Sequence, residues 1–409
     1  TTRSPITVDA GSATISAGVE AYAGIEKNGS GKLTLSGSTD IGTYSAVNPA
    51  LVVGGGELEL AGPATLEFTR MTGVHGGSTL TISGAFTSSD ADQIIGTISG
   101  TANVVLNGTG SWIHTGSGAF QVGNDTPGVL GTVTVNDNAV LDTSADGPIT
   151  LSVGWDGGGS GAIVQNGGLV KTIPTATPWR TSYGPGMVLG NWNNSPGDAT
   201  YSLNGGTLVV PNIGSIAWQG DYVTGGVANP ALYGETAVFN MNGGILQSSD
   251  NDETDTNAIG EGTAHLIFNT THTWVQAGGA KIDVAGHANS IAVVLEHDAA
   301  LGATLDGGLH VMDSVGGGTL TLLDGCTYTG PLTLDTGVAL DLAYTGNQDV
   351  SGLTVGGVAQ APGVYGSTAT NPGGVFSGPG TVTVVVPPPP MPVLPLAGFT
   401  RPGGVPTFT

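Results

Sequence analysis

Lysine and arginine are nearly missing from this chain: 8 in 409 residues, against 31 aspartates and glutamates, for a formal net charge of −23 at pH 7. Neutralising phosphates requires clustered cations. Here Arg3, Lys27, Lys32, Arg70, Lys171, Arg180, Lys281 and Arg401 are scattered, so nucleic acid is excluded as a partner. Anionic membrane surfaces are disfavoured on the same ground. Charged residues of both signs amount to 10%, where an ordinary globular chain carries about 25%, so the surface is not the usual mixed coat of Lys and Glu. The single cysteine, Cys326, excludes an internal disulfide and leaves the compartment open. No apolar run of about 18 residues occurs, so membrane insertion is not expected. No signal peptide opens the chain, and on an exported reading it has been removed and Thr1 is a processed end.

What the chain has instead is glycine, 72 residues of it, and small alternating Val, Leu, Ile and Ala spread evenly within a hydrophobic fraction of 39%. Such a chain can build a long thin core more readily than a round one. Internal repetition points the same way. The triplet Asn-Gly-Gly closes an alternating run three times, at Asn166, Asn204 and Asn242, with a step of 38 residues between successive copies. Upstream of the first two lie "SVGWDGGGSG" and "VLGNWNNSPGD", and a looser copy starts at Gln121. Each unit reads as strand, Gly/Asn turn, strand, Asn-Gly-Gly turn, strand, with period-2 alternation inside the strands. No helical periodicity with caps is sustained. Short strands, special turns and a repeat tens of residues long indicate a solenoid, and strands without helices select a β-helix. A propeller or a sandwich is the competing architecture, but propeller blades usually carry stronger aromatic markers.

The stretch "GGGTLTLLDGCTYTGPLTLDTGVALDL", residues 316–342, resembles the passenger-associated β-strand repeat of bacterial autotransporter-type and related surface proteins. Gly316, Gly318, Thr319 to Leu322, Thr327 to Gly330, Gly337 and Leu340 carry the match, and the flanks extend it over about residues 237–386. Leu323-Asp324 and Cys326 depart from the family pattern. The resemblance implies a right-handed parallel β-helix, exported, extracellular or on the cell surface, with no catalytic role attached to the motif. A membrane β-barrel of the autotransporter kind does not follow residue 386. The solenoid is assigned to 1–386, and 387–409, "PPPPMPVLPLAGFTRPGGVPTFT", is an apolar tail whose prolines cannot donate to a sheet and favour an extended polyproline II form. "LPLAG" at 394–398 faintly matches a bacterial sorting signal, without the hydrophobic span and basic end that such a signal needs.

Reactive chemistry is sparse. β-Helix lyases and glycosidases need paired carboxylates at catalytic spacing, or a cation beside a metal. The densest acidic cluster, "SSDNDETDTN", offers Asp250, Asp252, Glu253 and Asp255 as oxygen donors. Asp250, Asp252 and Asp255 are therefore a calcium candidate, set against a solvated loop, because the EF-type spacing is broken. The seven histidines form no recognised metal pair; His265 and His272 are placed to approach across one coil, or to sit singly in turns and ladders. No nucleophile elbow or phosphate loop appears, and no cofactor is expected. Trp112, Trp155, Trp179, Trp192 and Trp218 crowd between 112 and 218. Trp179, Tyr183 and Trp192 are candidates for contact with surface glycans or with another subunit, against the alternative that the rings cover coil corners.

Three functional classes follow: a structural subunit of an extracellular filament or matrix, a glycan-binding adhesin, and a polysaccharide-active enzyme. The structural class leads because the residues are spent on turns and ladders. Neither end shows a helix or charged loop to cap a terminal coil, so self-association is expected to be head to tail. The tail would dock on the next copy through Pro387, Pro390, Val393, Leu394, Leu396, Phe399 and Phe408.

Overall fold

The computed structural model describes residues 3–385 apart from 43–49, 67–71, 90–92, 97–99, 116–119, 124–127, 145–150, 155–157, 173–185, 191–196, 216–235 and 256–261. Its strands are short because glycine and asparagine interrupt every apolar run, and each strand finds its partner one coil away. The second coil sets the pattern. Ile25–Asn28 lies on a first face, Lys32–Leu35 on a second and Thr39–Ile41 on a third. The chain then returns to the first face as Leu51–Val53, in register over Ile25 to Lys27. Glu57–Leu60 and Ala64–Leu66 repeat the other two faces.

On the first face this continues as a sheet of 14 strands, each paired in parallel with its neighbours, from Ser4–Thr7 to Phe376–Ser377. The second and third faces join into one sheet of 23 strands, because Ser160–Lys171 and Ala199–Val210 each run through the corner between them. The fold is thus the expected all-β solenoid, a parallel β-helix. Among the described residues only two short 3-10 turns, Ala299–Leu301 and Pro372–Gly374, are helical, and no helix is long and apolar enough to cross a membrane.

Period-2 alternation places the core. In Lys32–Leu35, Glu57–Leu60, Thr319–Leu322 and Ala339–Leu342 every second residue is buried, and the inward leucines, valines and isoleucines form one continuous core along the molecule. Leu320 and Leu322 are both in it.

The first face departs from this alternation over part of its length. Leu51–Val53, Gln93–Ile95, Phe120–Val122, Leu151–Val153 and Met187–Leu189 are buried at every position. Their middle residues belong to the outward column that starts at Glu26, and yet Val52 is 2% and Val188 0% exposed. These strands are covered on both sides, the usual situation of a parallel sheet inside an α/β protein.

The C-terminal end also differs from expectation. Gly356 and Gly357 both have positive φ, the requirement of the tight turn that matches strand twist. They fold Val358–Ala359 back antiparallel onto Leu353–Val355. Gly363–Tyr365 likewise adds antiparallel to Thr381–Val384. The described C-terminal coils therefore finish in two- and three-residue antiparallel edges rather than in bare parallel rungs, and short edges of this kind are poor templates for further pairing.

Candidate functional site

The corner between the second and third faces carries the most regular side-chain array. Asn136 donates through Nδ2 to Asn107 Oδ1 (2.8 Å), Asn166 to Asn136 (2.9 Å), Asn204 to Asn166 (3.0 Å) and Asn242 to Asn204 (3.1 Å). The amide of Gly278 closes the stack on Asn242 Oδ1 at 2.9 Å. A side-chain amide has both donors and an acceptor, so identical residues at one azimuth satisfy each other, and each bond polarises the next. The three Asn-Gly-Gly triplets thus occupy equivalent corners, as their spacing predicts. Their glycines are required there. Gly168 and Gly206 have φ of +64° and +70°, and a Cβ would lie 2.0 Å from Ala139 O and 2.3 Å from Gly168 O.

Ionic stitches join other coils. On the second face Lys32 Nζ lies 3.0 Å from both Glu57 Oε1 and Glu59 Oε2, while Thr81 and Ser83 donate to the same two carboxylates from the next coil. Lys27, by contrast, is fully buried and points its ammonium at the carbonyls of Gly29 (2.9 Å) and Gly55 (2.8 Å), with burial lowering its pKa.

Four histidines each sit beside a carboxylate: His265 by Asp252 (3.7 Å), His272 by Glu296 (3.0 Å), His297 by Asp306 (2.7 Å) and His310 by Asp335 (2.8 Å). His265 and His272, candidates for approach across one coil, have separate partners, Ser290 and Asp252 for the one and Glu296 for the other. The signal missed in the sequence was spacing, since His272 to Glu296 and His310 to Asp335 are 24 and 25 residues apart, one coil.

Two of these constellations contain a hydroxyl and deserve a chemical test as nucleophiles. Ser290 Oγ lies 2.5 Å from His265 Nδ1 and also donates to Asp252. Ser290 is buried and bonded to both neighbours, so the arrangement ties the turn at Asp252 to the next coil. At the other, Asp306 accepts from the amides of Thr329 (2.7 Å), Gly330 (2.8 Å) and Gly308 (2.9 Å) as well as from His297. Burial alone would raise the Asp306 carboxyl, but these donors outweigh it and hold it below the usual carboxylate range. The hydroxyl of Thr329 points at Asp306 Oδ2 (3.0 Å), and His297 Nε2 is engaged by Gly302 O (3.1 Å). The grouping anchors the corner loop 298–306.

The remaining candidates fall as follows. Asp252 is taken up by Ser290, and Asn289 bonds the Asp250 carbonyl at 2.7 Å. Asp255 lies in an antiparallel pair, Glu253–Asp255 with Gly262–Ala264, whose side chains are outside the described residues. Among the described residues no three His, Cys, Asp or Glu side chains converge as a metal site would require. Trp179, Tyr183 and Trp192, with Trp155 and Trp218, lie outside the described residues, as do the tail positions Pro387, Pro390, Val393, Leu394, Leu396, Phe399 and Phe408. Trp112 is in the core, packed between Phe86 and Phe120 and donating to Ser88 Oγ at 2.8 Å. Trp274 stacks on His272 at 4.5 Å on the outside of the second face. Cys326 packs against the core, and burial pushes its thiol up to about 12. The stretch 316–342 makes one circuit: Thr319–Leu322 on the first face, Thr327 and Tyr328 bonded to Leu295 on the second, Leu332–Leu334 on the third, and Ala339–Leu342 back over the start.

No family model, no curated protein and no solved structure matches the chain.

Proposed function

We propose that the chain is a structural subunit of an extracellular bacterial filament or matrix, assembling head to tail through the ends of its solenoid and its C-terminal tail, residues 387–409. One observation carries the reading. The asparagine stack, the lysine–glutamate stitches and the His272–Glu296 and His310–Asp335 pairs join one coil to the next, so these polar side chains of the described solenoid are spent on holding a rod together. The two ends are unlike. Ser4–Thr7, Ser12–Ile15 and Val19–Ala21 have partners on one side only and are largely exposed, whereas the last coils end in short edges with Val358 and Val364 exposed. Unlike ends suit a heterologous contact, which produces an open filament when its rotation does not close. The resemblance of 316–342 to the passenger-associated repeat supports an exported, surface location.

Negative-stain microscopy of the purified full chain tests the proposal. Long filaments are expected. Isolated rods at high protein concentration would overturn it in favour of the adhesin reading, and the partner would then be sought among surface glycans by tryptophan fluorescence.

A further inference from the structure

The coils from Ile267 to Leu334 hold a concentration of histidine–carboxylate contacts that the rest of the described solenoid lacks, and they hold it where other cations are missing. Between Lys281 and Arg401 the sequence contains no lysine or arginine, while aspartate and glutamate recur from Asp283 to Asp349. In the N-terminal coils the corresponding role falls to Lys32, which bridges Glu57 and Glu59. We propose that His297 is the counter-ion of Asp306 at the corner that joins two of these coils, and that this corner is tightened in acid and loosens as the medium passes from weakly acidic to alkaline.

His297 and Asp306 lie nine residues apart in one coil, and Thr329 of the next coil bonds both, whereas His272 and His310 each reach a carboxylate on the following coil. His272 Nδ1 reaches both oxygens of Glu296, at 3.0 and 3.2 Å, from His272–Val275 to Leu295–His297. Its ring lies against Trp274 at 4.5 Å with planes 19° apart. Val238 is its neighbour on the preceding coil and brings no charge. His310 Nε2 is 2.8 Å from Asp335 Oδ1 on the following coil. Its register partners are Lys281 on the preceding coil and Thr333 on the next.

His297 has the fullest surround. Nδ1 faces Asp306 Oδ2 at 2.7 Å with Thr329 Oγ1 at 3.2 Å, Nε2 faces Gly302 O at 3.1 Å, and Asp298 adds a further negative charge. Acceptors lie on both ring nitrogens, and only the doubly protonated imidazolium donates from both. The hydrogen bond to Asp306 raises its pKa; burial opposes this, and the Gly302 carbonyl adds to the rise. A group whose folded pKa is raised contributes stability that is fully present below its unfolded value and is lost as pH climbs through the folded value. The contribution of His297 is therefore complete below about pH 6.5 and is lost above it, as pH climbs through the raised folded value.

Hydrogen exchange of the full chain provides the test. Protection factors for Leu295–His297, Leu309–Met312 and Leu332–Leu334 are to be compared at about pH 5.5 and about pH 8, after correction for intrinsic rates, with Lys32–Leu35 and Glu57–Leu60 as internal controls. The expected result is a loss of protection of about ten-fold or more in the C-terminal set at the higher pH, with the control set unchanged. Equal protection at both pH values, or a parallel loss in the control strands, would overturn the proposal. The variant His297→Gln is expected to lose the pH difference; a variant that keeps it also overturns the idea. Should the variant fail to fold, the imidazole titrations of the native chain decide by NMR. A His297 midpoint above that of the unfolded chain supports the proposal, and one at or below it does not.

Discussion

Asn204 illustrates how much a single position can do when it is repeated. It donates to Asn166 and accepts from Asn242, so its removal breaks two links in a stack of five asparagines. Asn204→Ala is expected to cost about 1–2 kcal/mol, read as a lower midpoint in denaturant melts. Gly206→Ala acts at the same corner by a different cause: the positive φ and a Cβ placed 2.3 Å from Gly168 O leave no room without moving the backbone. It should cost at least about 1 kcal/mol, and a variant as stable as the parent would show that the corner is looser than its geometry implies. Leu320, buried between coils, tests the core itself. Leu320→Asp buries an unpaired carboxylate at a cost of about 3 kcal/mol or more, and the loss should appear first as exchange in Thr319–Leu322 and its neighbours Ala288–Ala292 and Ala339–Leu342.

Strands and corners were legible to different degrees, and the reason is physical. Alternation in "KLTL", "ELEL" and "TLTL" could be read directly because the outer side of the second face or of the late first-face coils meets solvent. The Asn-Gly-Gly spacing was legible because two successive coils are equally long; elsewhere the corner stack advances by 29 and 30 residues, and Gln276 meets Asp298 after 22. A solenoid fixes which residues stack, while loops set how far apart they are in sequence. For that reason the histidine–carboxylate pairs stayed hidden. The early first-face strands "LVV", "LSV" and "MVL" carry no such full alternation, and both of their sides are covered. Two substitutions separate these cases. Val188→Asp, on the outer column of the first face, should destabilise by about 3 kcal/mol or more, whereas Val164→Asp, on the outer column of the second face and only half-buried, should change stability by less than about 1 kcal/mol. Equal effects would mean that the first face is not sandwiched.

At the scale of the whole molecule the proposed filament depends on how one copy meets the next. The exposed first coil, Ser4–Thr7 with Ser12–Ile15 and Val19–Ala21, offers parallel edges. The opposite end of the described solenoid does not offer a matching set, because Val358–Ala359 and Gly363–Tyr365 close two of its faces antiparallel. Simple continuation of the parallel sheets from copy to copy is therefore obstructed on those faces, and a coupler of another kind is needed for strong association. The tail supplies the chemistry for one. Residues 387–409 carry apolar Val393, Leu394, Leu396, Phe399 and Phe408 among prolines that cannot join a ladder, and one charge, Arg401. A proline-rich segment loses little entropy when it is captured by an apolar surface. Deleting 387–409 should leave a solenoid with the circular dichroism and denaturant midpoint of the parent that remains as isolated rods under the microscope. Adding the free tail peptide to the full chain should shorten its filaments by competition. If the truncated protein grows filaments of the parent's length and stability, the tail is not the coupler, and contact between the solenoid ends must suffice despite the antiparallel edges.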